Sequence, residues 1–197
     1  HQTNCMNIFA VHEDPYLAAT LLPDKHVVKM PLETAQMLSI IYSPHYHNIA
    51  QLPKKDGSPY NTVKGAFKNH PCTKWAAATK HNIAWLLQHG IGLCEEYTYR
   101  YGKEHGAENA IRIAAHLWHG ACPDKHSPFV RAMPDEWKLD TTIDSVEAYR
   151  RYVNSKPWVK DNYLRKPERK PDWIRDDGKN ETPSLYAQGL SISLARR

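Results

Sequence analysis

Lys25, Lys29 and Glu33 follow one another at intervals of four in the run Pro23-Asp24-Lys25-His26-Val27-Val28-Lys29-Met30-Pro31-Leu32-Glu33. Residues four apart share a helix face, so on a continuous helix two amines, the His26 imidazole and one carboxylate converge. A neighbouring cation lowers a lysine's pKa and yields the neutral amine that Schiff-base attack on a sugar carbon requires. The candidate catalytic set is therefore Lys29 or Lys25 as the amine, His26 beside them, and Glu33 to move protons or stabilise positive charge developing on the sugar. The competing reading is a solvated face laced with Glu–Lys pairs. Two features favour chemistry: the apolar neighbours of these charges and the long loop that follows.

A second constellation joins Asn69-His70-Pro71-Cys72, Asn82 and the stretch Glu95 to His105, which includes Arg100 and Lys103. Polar and cationic residues recurring along one helix can recognise a base or a phosphate, so Asn69, His70, Asn82, Arg100 and Lys103 are the candidate substrate-binding residues. Trp75 and Trp85 read as core. His45, His47, His70, His116 and His119 make no recognised zinc spacing, and no metal is assigned. Neither a Walker loop, a glycine-rich dinucleotide fingerprint nor a nucleophile elbow is present, so no cofactor is expected.

These residues need helices to hold them. Asp14-Pro15 is an acidic cap followed by proline, opening a short helix to about Leu22. From Asp24 to about Tyr42 the apolar spacing fits an amphipathic helix, with Pro31 predicting a kink or a restart. Residues 43–69, rich in proline and glycine, read as a long loop that covers a substrate cleft. One long helix is predicted over about 72–101, bent at Gly90 and Gly92 and ended by Gly102, then helices over about 107–119 and from Asp144 or Ser145 to Val153. Asn7 to Val11 is either a buried strand or the chain entering the core.

The fold class is therefore mainly α: a single compact helical domain over residues 1–154 with long loops, and an irregular basic, aromatic-containing C-terminal arm over 155–197 packed on it. At 197 residues and 41% hydrophobic, one core is the default. The net charge of +5 is uneven: residues 1–154 hold 16 Lys and Arg against 15 Asp and Glu, and residues 155–197 hold 10 against 6. Such an arm suits a polyanion, so nucleic acid is the expected partner. Its aromatics, among them Trp158, Tyr163, Trp173 and Tyr186, read as anchors. The four cysteines, Cys5, Cys72, Cys94 and Cys122, are too irregularly spaced for a disulfide framework and read as reduced thiols. No apolar run is long enough for a bilayer, which points to a soluble intracellular protein.

Met6-Asn7-Ile8-Phe9, Asp14-Pro15, Asp24 to Met30, Leu32 to Gln36, Asn69-His70-Pro71-Cys72, Glu96 to Lys103 and Met133 to Glu136 together resemble a family of tailed-bacteriophage proteins. That likeness implies action in the cytoplasm of an infected host. The layout also resembles the pyrimidine-dimer DNA glycosylases: a helix bearing one glutamate, then a long helix headed by His-Pro and ending in basic and aromatic residues. The resemblance implies a DNA glycosylase or lyase acting on a damaged or modified base, with Glu33 matching the assisting glutamate. In that family an N-terminal amine attacks the sugar. Here five residues precede Met6, and Met6-Asn7 is unfavourable for methionine removal, so Lys29 or Lys25 is expected to replace that amine. The alternative function is a noncatalytic accessory protein that binds nucleic acid or a host protein.

Overall fold

The computed structural model describes residues 6–120 and 125–175. Asp14 opens α1 (Pro15–Thr20) by accepting hydrogen bonds from the Tyr16 and Leu17 N–H groups, both at 2.9 Å. α2 spans Asp24–Tyr42, α3 Pro71–Ala78, α4 Lys80–Tyr101, α5 Glu108–Leu117, α6 Asp135–Lys138 and α7 Ser145–Asn154. The architecture is mainly α: among the described residues there is no strand, and Pro53 and Pro59 form an isolated bridge. α4 is the hub, packed against α1, α2, α3 and α5. No helix among the described residues is long and apolar enough to cross a membrane.

α2 is one helix with Pro31 in its interior, where a restart was one of the two expectations. Proline removes the N–H that would bond the Val27 carbonyl, at a cost of about 3 kcal/mol. Val27, Met30, Met37, Leu38 and Ile41 are all buried in the same core. At roughly 1.5–3 kcal/mol for each large apolar side chain, their burial outweighs that loss.

The single long helix expected over 72–101 is instead two, broken at Thr79. Thr79 adopts an extended backbone (φ −140°, ψ 156°), and its hydroxyl caps α4 by accepting from the Asn82 N–H at 3.0 Å. His70 caps α3 in the same way, its Nδ1 accepting from the Cys72 N–H at 3.0 Å. Gly90 and Gly92 serve close packing within the continuous α4. A Cβ on Gly90 would meet Ile111 and Thr34 at 3.0 Å, and one on Gly92 would meet Tyr16 at 3.2 Å. Gly102 ends α4 as expected, with φ 71° and its N–H bonded to the Thr98 carbonyl.

Met6 to Val11 threads through the core without joining a sheet, every residue buried. Buried backbone must find partners. Here Asn7 supplies them, its Oδ1 accepting from the Ile8 and Phe9 N–H groups at 2.8 and 2.9 Å, while Arg150 Nε donates to the Val11 carbonyl. Residues 43–70 form the expected loop, pinned by buried Leu52 and Tyr60. The arm, as far as residue 175, lies against the starts of α2 and α7's end: Tyr163 OH donates to the Leu21 carbonyl and the Arg175 N–H to Asn154 Oδ1. Tyr186 lies outside the described residues, as do Cys5 and Cys122; Cys72 and Cys94 are free, buried thiols.

Candidate active site

α2 turns its four candidate residues two ways. Lys25 and Lys29 are exposed, whereas His26 and Glu33, seven residues apart, are buried at 6% and 5% exposure. Glu33 Oε2 finds no hydrogen-bond partner among the described residues. Burial raises its carboxyl to about 7, against the opposing pull of Lys29 one turn earlier. A carboxylic acid that titrates near neutrality can both give and take a proton under physiological conditions.

α3 packs against α2 and, through the Thr73 hydroxyl on Met6 Sδ at 3.6 Å, against the threaded N-terminal segment. Burial, with Glu33 as a smaller contribution, pushes the Cys72 thiol up to about 12, opposed by a hydrogen bond with the Ile8 backbone. Cys72 is thus near enough to Glu33 to feel its charge, and His70, the cap of α3, stands two residues from Cys72. Burial lowers its imidazole pKa.

His26 has a different character from the one its sequence position suggested. Its ring stacks on Phe9 with centroids 4.0 Å apart, and Trp158 meets it edge-on at 5.5 Å. Burial first, then the charges of Lys156, Lys29 and Lys25, lower its pKa to about 3, so the ring is neutral near pH 7. It is an aromatic platform, and its Nδ1 is without a hydrogen-bond partner among the described residues. Phe9 itself sits at φ 36°, a left-handed conformation that is unusual for a bulky residue.

Around this platform lies a group that sequence reasoning missed. Lys156 Nζ stands 4.3 Å from the Tyr152 ring centroid and 6.0 Å from that of Phe9, while Lys25 Nζ stands 4.5 Å from that of Trp158. The available signal was the basic and aromatic triplet Lys156-Pro157-Trp158. Nothing in the sequence ties it to Phe9, which is more than a hundred residues earlier.

On the neighbouring strip of α2, Leu32, Gln36 and Ile40 line a cavity of about 590 Å³ closed by Tyr60, Phe67 and His105. The 43–69 loop thus does cover a cleft, one of ordinary ligand-site size. Lys54 and Lys55 stand among its walls, and Phe67 adopts φ 66°. His105 is fixed there, with Nε2 2.8 Å from the Val28 carbonyl and Nδ1 accepting from the Ala107 N–H at 3.0 Å.

Arg100 and Asn82 spend their polar groups inside the protein. Arg100 pairs with Asp24 at 3.0 Å and Glu96 at 2.7 Å and donates to the Thr20 carbonyl, all buried. Asn82 donates to the Trp75 carbonyl and the Ser127 hydroxyl and accepts from the Ser127 N–H. Both hold the fold together. Asn69 and Lys103 are exposed and reach neither Glu33 nor each other through any contact described. Among the described residues no three His, Cys, Asp or Glu side chains gather as a metal site.

Comparison with known families matches residues 6–109, just over half the chain, to the model of pyrimidine dimer DNA glycosylase. No curated protein and no solved structure matches it.

Proposed function

The chain belongs to the pyrimidine dimer DNA glycosylase family, and from that premise we propose that it is a phage-encoded enzyme that excises a damaged or modified base from DNA, with Glu33 as proton donor and Lys29 as amine. The observation that carries this reading is Glu33 itself, a buried carboxyl with one unpartnered oxygen, raised to about 7, one helical turn from a lysine. An orphaned buried acid costs stability, and such costs gather where chemistry is done.

In the proposed reaction the Lys29 nitrogen, its proton given up to solvent, attacks C1′ of the deoxyribose. The C1′–N bond breaks, its electron pair leaves with the base, and the base takes the Glu33 proton. The resulting Glu33 carboxylate then takes a proton from the attached nitrogen. Returned to O4′, that proton opens the sugar ring and leaves an iminium between Lys29 and C1′. Lys29 is preferred to Lys25 because it stands one helical turn from Glu33, whereas Lys25 stands two turns away. The cavity beside Leu32 and Gln36, with Tyr60 and Phe67 available for stacking and Lys54 and Lys55 for phosphate, is assigned to a nucleotide neighbouring the reacting one. Asn69, His70 and Lys103 remain the proposed outer substrate contacts.

Borohydride trapping on duplexes carrying different base lesions tests the reading. The expected result is a protein–DNA adduct with the wild type that survives Lys25→Ala and is lost with Lys29→Ala. Glu33→Gln is expected to slow excision by about 10²–10⁴-fold with DNA binding retained. Absence of any wild-type adduct, where a control enzyme is trapped, removes the amine step; unchanged turnover in Glu33→Gln removes the acid.

A further inference from the structure

Residues 155–175 form a strap across the start of α2 and the end of α4, wholly beyond the family-matched segment. Its backbone is held at both sides of Asp24. The Asp24 N–H donates to the Asn162 carbonyl at 2.7 Å, the Lys25 N–H donates to Asn162 Oδ1 at 2.7 Å, and Asp24 Oδ2 accepts from the Leu164 and Arg165 N–H groups at 2.9 and 3.3 Å. Further along, Arg169 Nε pairs with Glu96 at 3.1 Å.

The strap holds seven Lys and Arg against three Asp and Glu. Asp24 faces inward to Arg100, and Glu96 is shared between Arg100 and Arg169, so neither carboxylate is paired with the side chain of Arg165 or Lys166. The cations are laid on tyrosines of α4. The Arg165 guanidinium stands 4.7 Å from the Tyr101 centroid, and Lys166 Nζ and the Arg169 guanidinium stand 4.8 and 4.5 Å from that of Tyr99. Tyr99 is exposed and its hydroxyl is fixed by donation to Glu168 at 2.6 Å. Stacking restricts the long side chains before a partner arrives, which reduces the entropy lost on binding. At its other end the strap meets the proposed active site through Trp158 and Lys25.

We propose that the strap is a preorganised rail for the phosphate backbone of duplex DNA, with Arg165 and Lys166 as its outer contacts. It supplies affinity independent of sequence and lesion, and leaves selection to the α2 site. This rests on the DNA-directed reading of the family but on neither Glu33 nor Lys29 acting chemically. A row of cations with exposed aromatic faces suits a polyanion of fixed charge spacing.

The test is the salt dependence of binding of the full chain to undamaged duplex DNA. Arg165→Gln/Lys166→Gln is expected to weaken binding alike on damaged and undamaged duplexes. It should also reduce the slope of log affinity against log salt by about 2, each phosphate contact contributing roughly 0.9. The strap is anchored by the backbone of residue 165, so thermal unfolding should stay close to wild type and confirm folding. Lys138→Gln, which removes an exposed cation on α6, is the charge control and should leave the slope unchanged. An unchanged slope in the strap variant, or an equal fall in the control, overturns the rail. A wild type that binds DNA with the expected slope but traps no adduct defeats the amine chemistry alone. Excision by a strap variant that binds like the wild type defeats the rail alone.

Discussion

α2 carries two buried carboxylates nine residues apart, and the protein treats them oppositely. Asp24 is satisfied on both oxygens, one by Arg100 and the other by two backbone N–H groups of the strap. Glu33 has an oxygen with no partner among the described residues and an apolar setting that favours its neutral form. The first arrangement spends charge on holding elements together. The second keeps a proton on a carboxyl that would otherwise have lost it. Burial alone thus does not mark a candidate functional residue; a buried carboxyl without a partner is the stronger sign.

Removing Arg100 should break the satisfied end most severely. Arg100→Met leaves Asp24 and Glu96 buried without their main counter-charge, and an expected loss of about 3–5 kcal/mol follows. Urea denaturation would read it. A loss below about 1 kcal/mol would mean that the Asp24 network is not structural, and the contrast with Glu33 would collapse.

Glu33→Gln sharpens the other side. A folded pKa near 7 against an ordinary 4.5 means that the folded state holds its proton longer than the unfolded chain. The stability this contributes is complete below about pH 4.5 and is lost as pH rises through 7. Allowing for solvent screening, the loss is of order 1–2 kcal/mol. Glu33→Gln should therefore be more stable than the wild type at pH 8 by about that amount, while excision falls. A variant equally unstable at pH 8 would show that Glu33 is not the strained group.

His26 acts with the opposite sign. Its folded pKa of about 3 lies below the ordinary 6.5, so its contribution is complete above pH 6.5 and falls away toward pH 3 as the unfolded chain takes up the proton. His26→Phe, which keeps the ring on Phe9, should flatten part of the acid limb of a stability profile. His89, which burial lowers to about 4, contributes a further part. An acid limb unchanged by His26→Phe would mean that the imidazole is hydrated.

Local signals carried much of the architecture. Asp14-Pro15, Asp144 and Gly102 mark helix ends because capping needs only near neighbours in the chain, and the apolar spacing of residues 24–42 reported α2 despite Pro31. The Thr79 break was also local, a hydroxyl three residues before Asn82, but it lay inside an apolar pattern that continued across it. The sequence by itself determined a mainly helical chain, a long loop beside α2 and a candidate set centred on Glu33. Only the tertiary structure decided which of those groups are strained and which are spent. His26 lost its charge to Phe9 and Trp158, and Arg100 was taken by Asp24, a residue 76 positions away. Burial and pairing depend on residues brought together from distant parts of the chain, and spacing along one helix does not encode them.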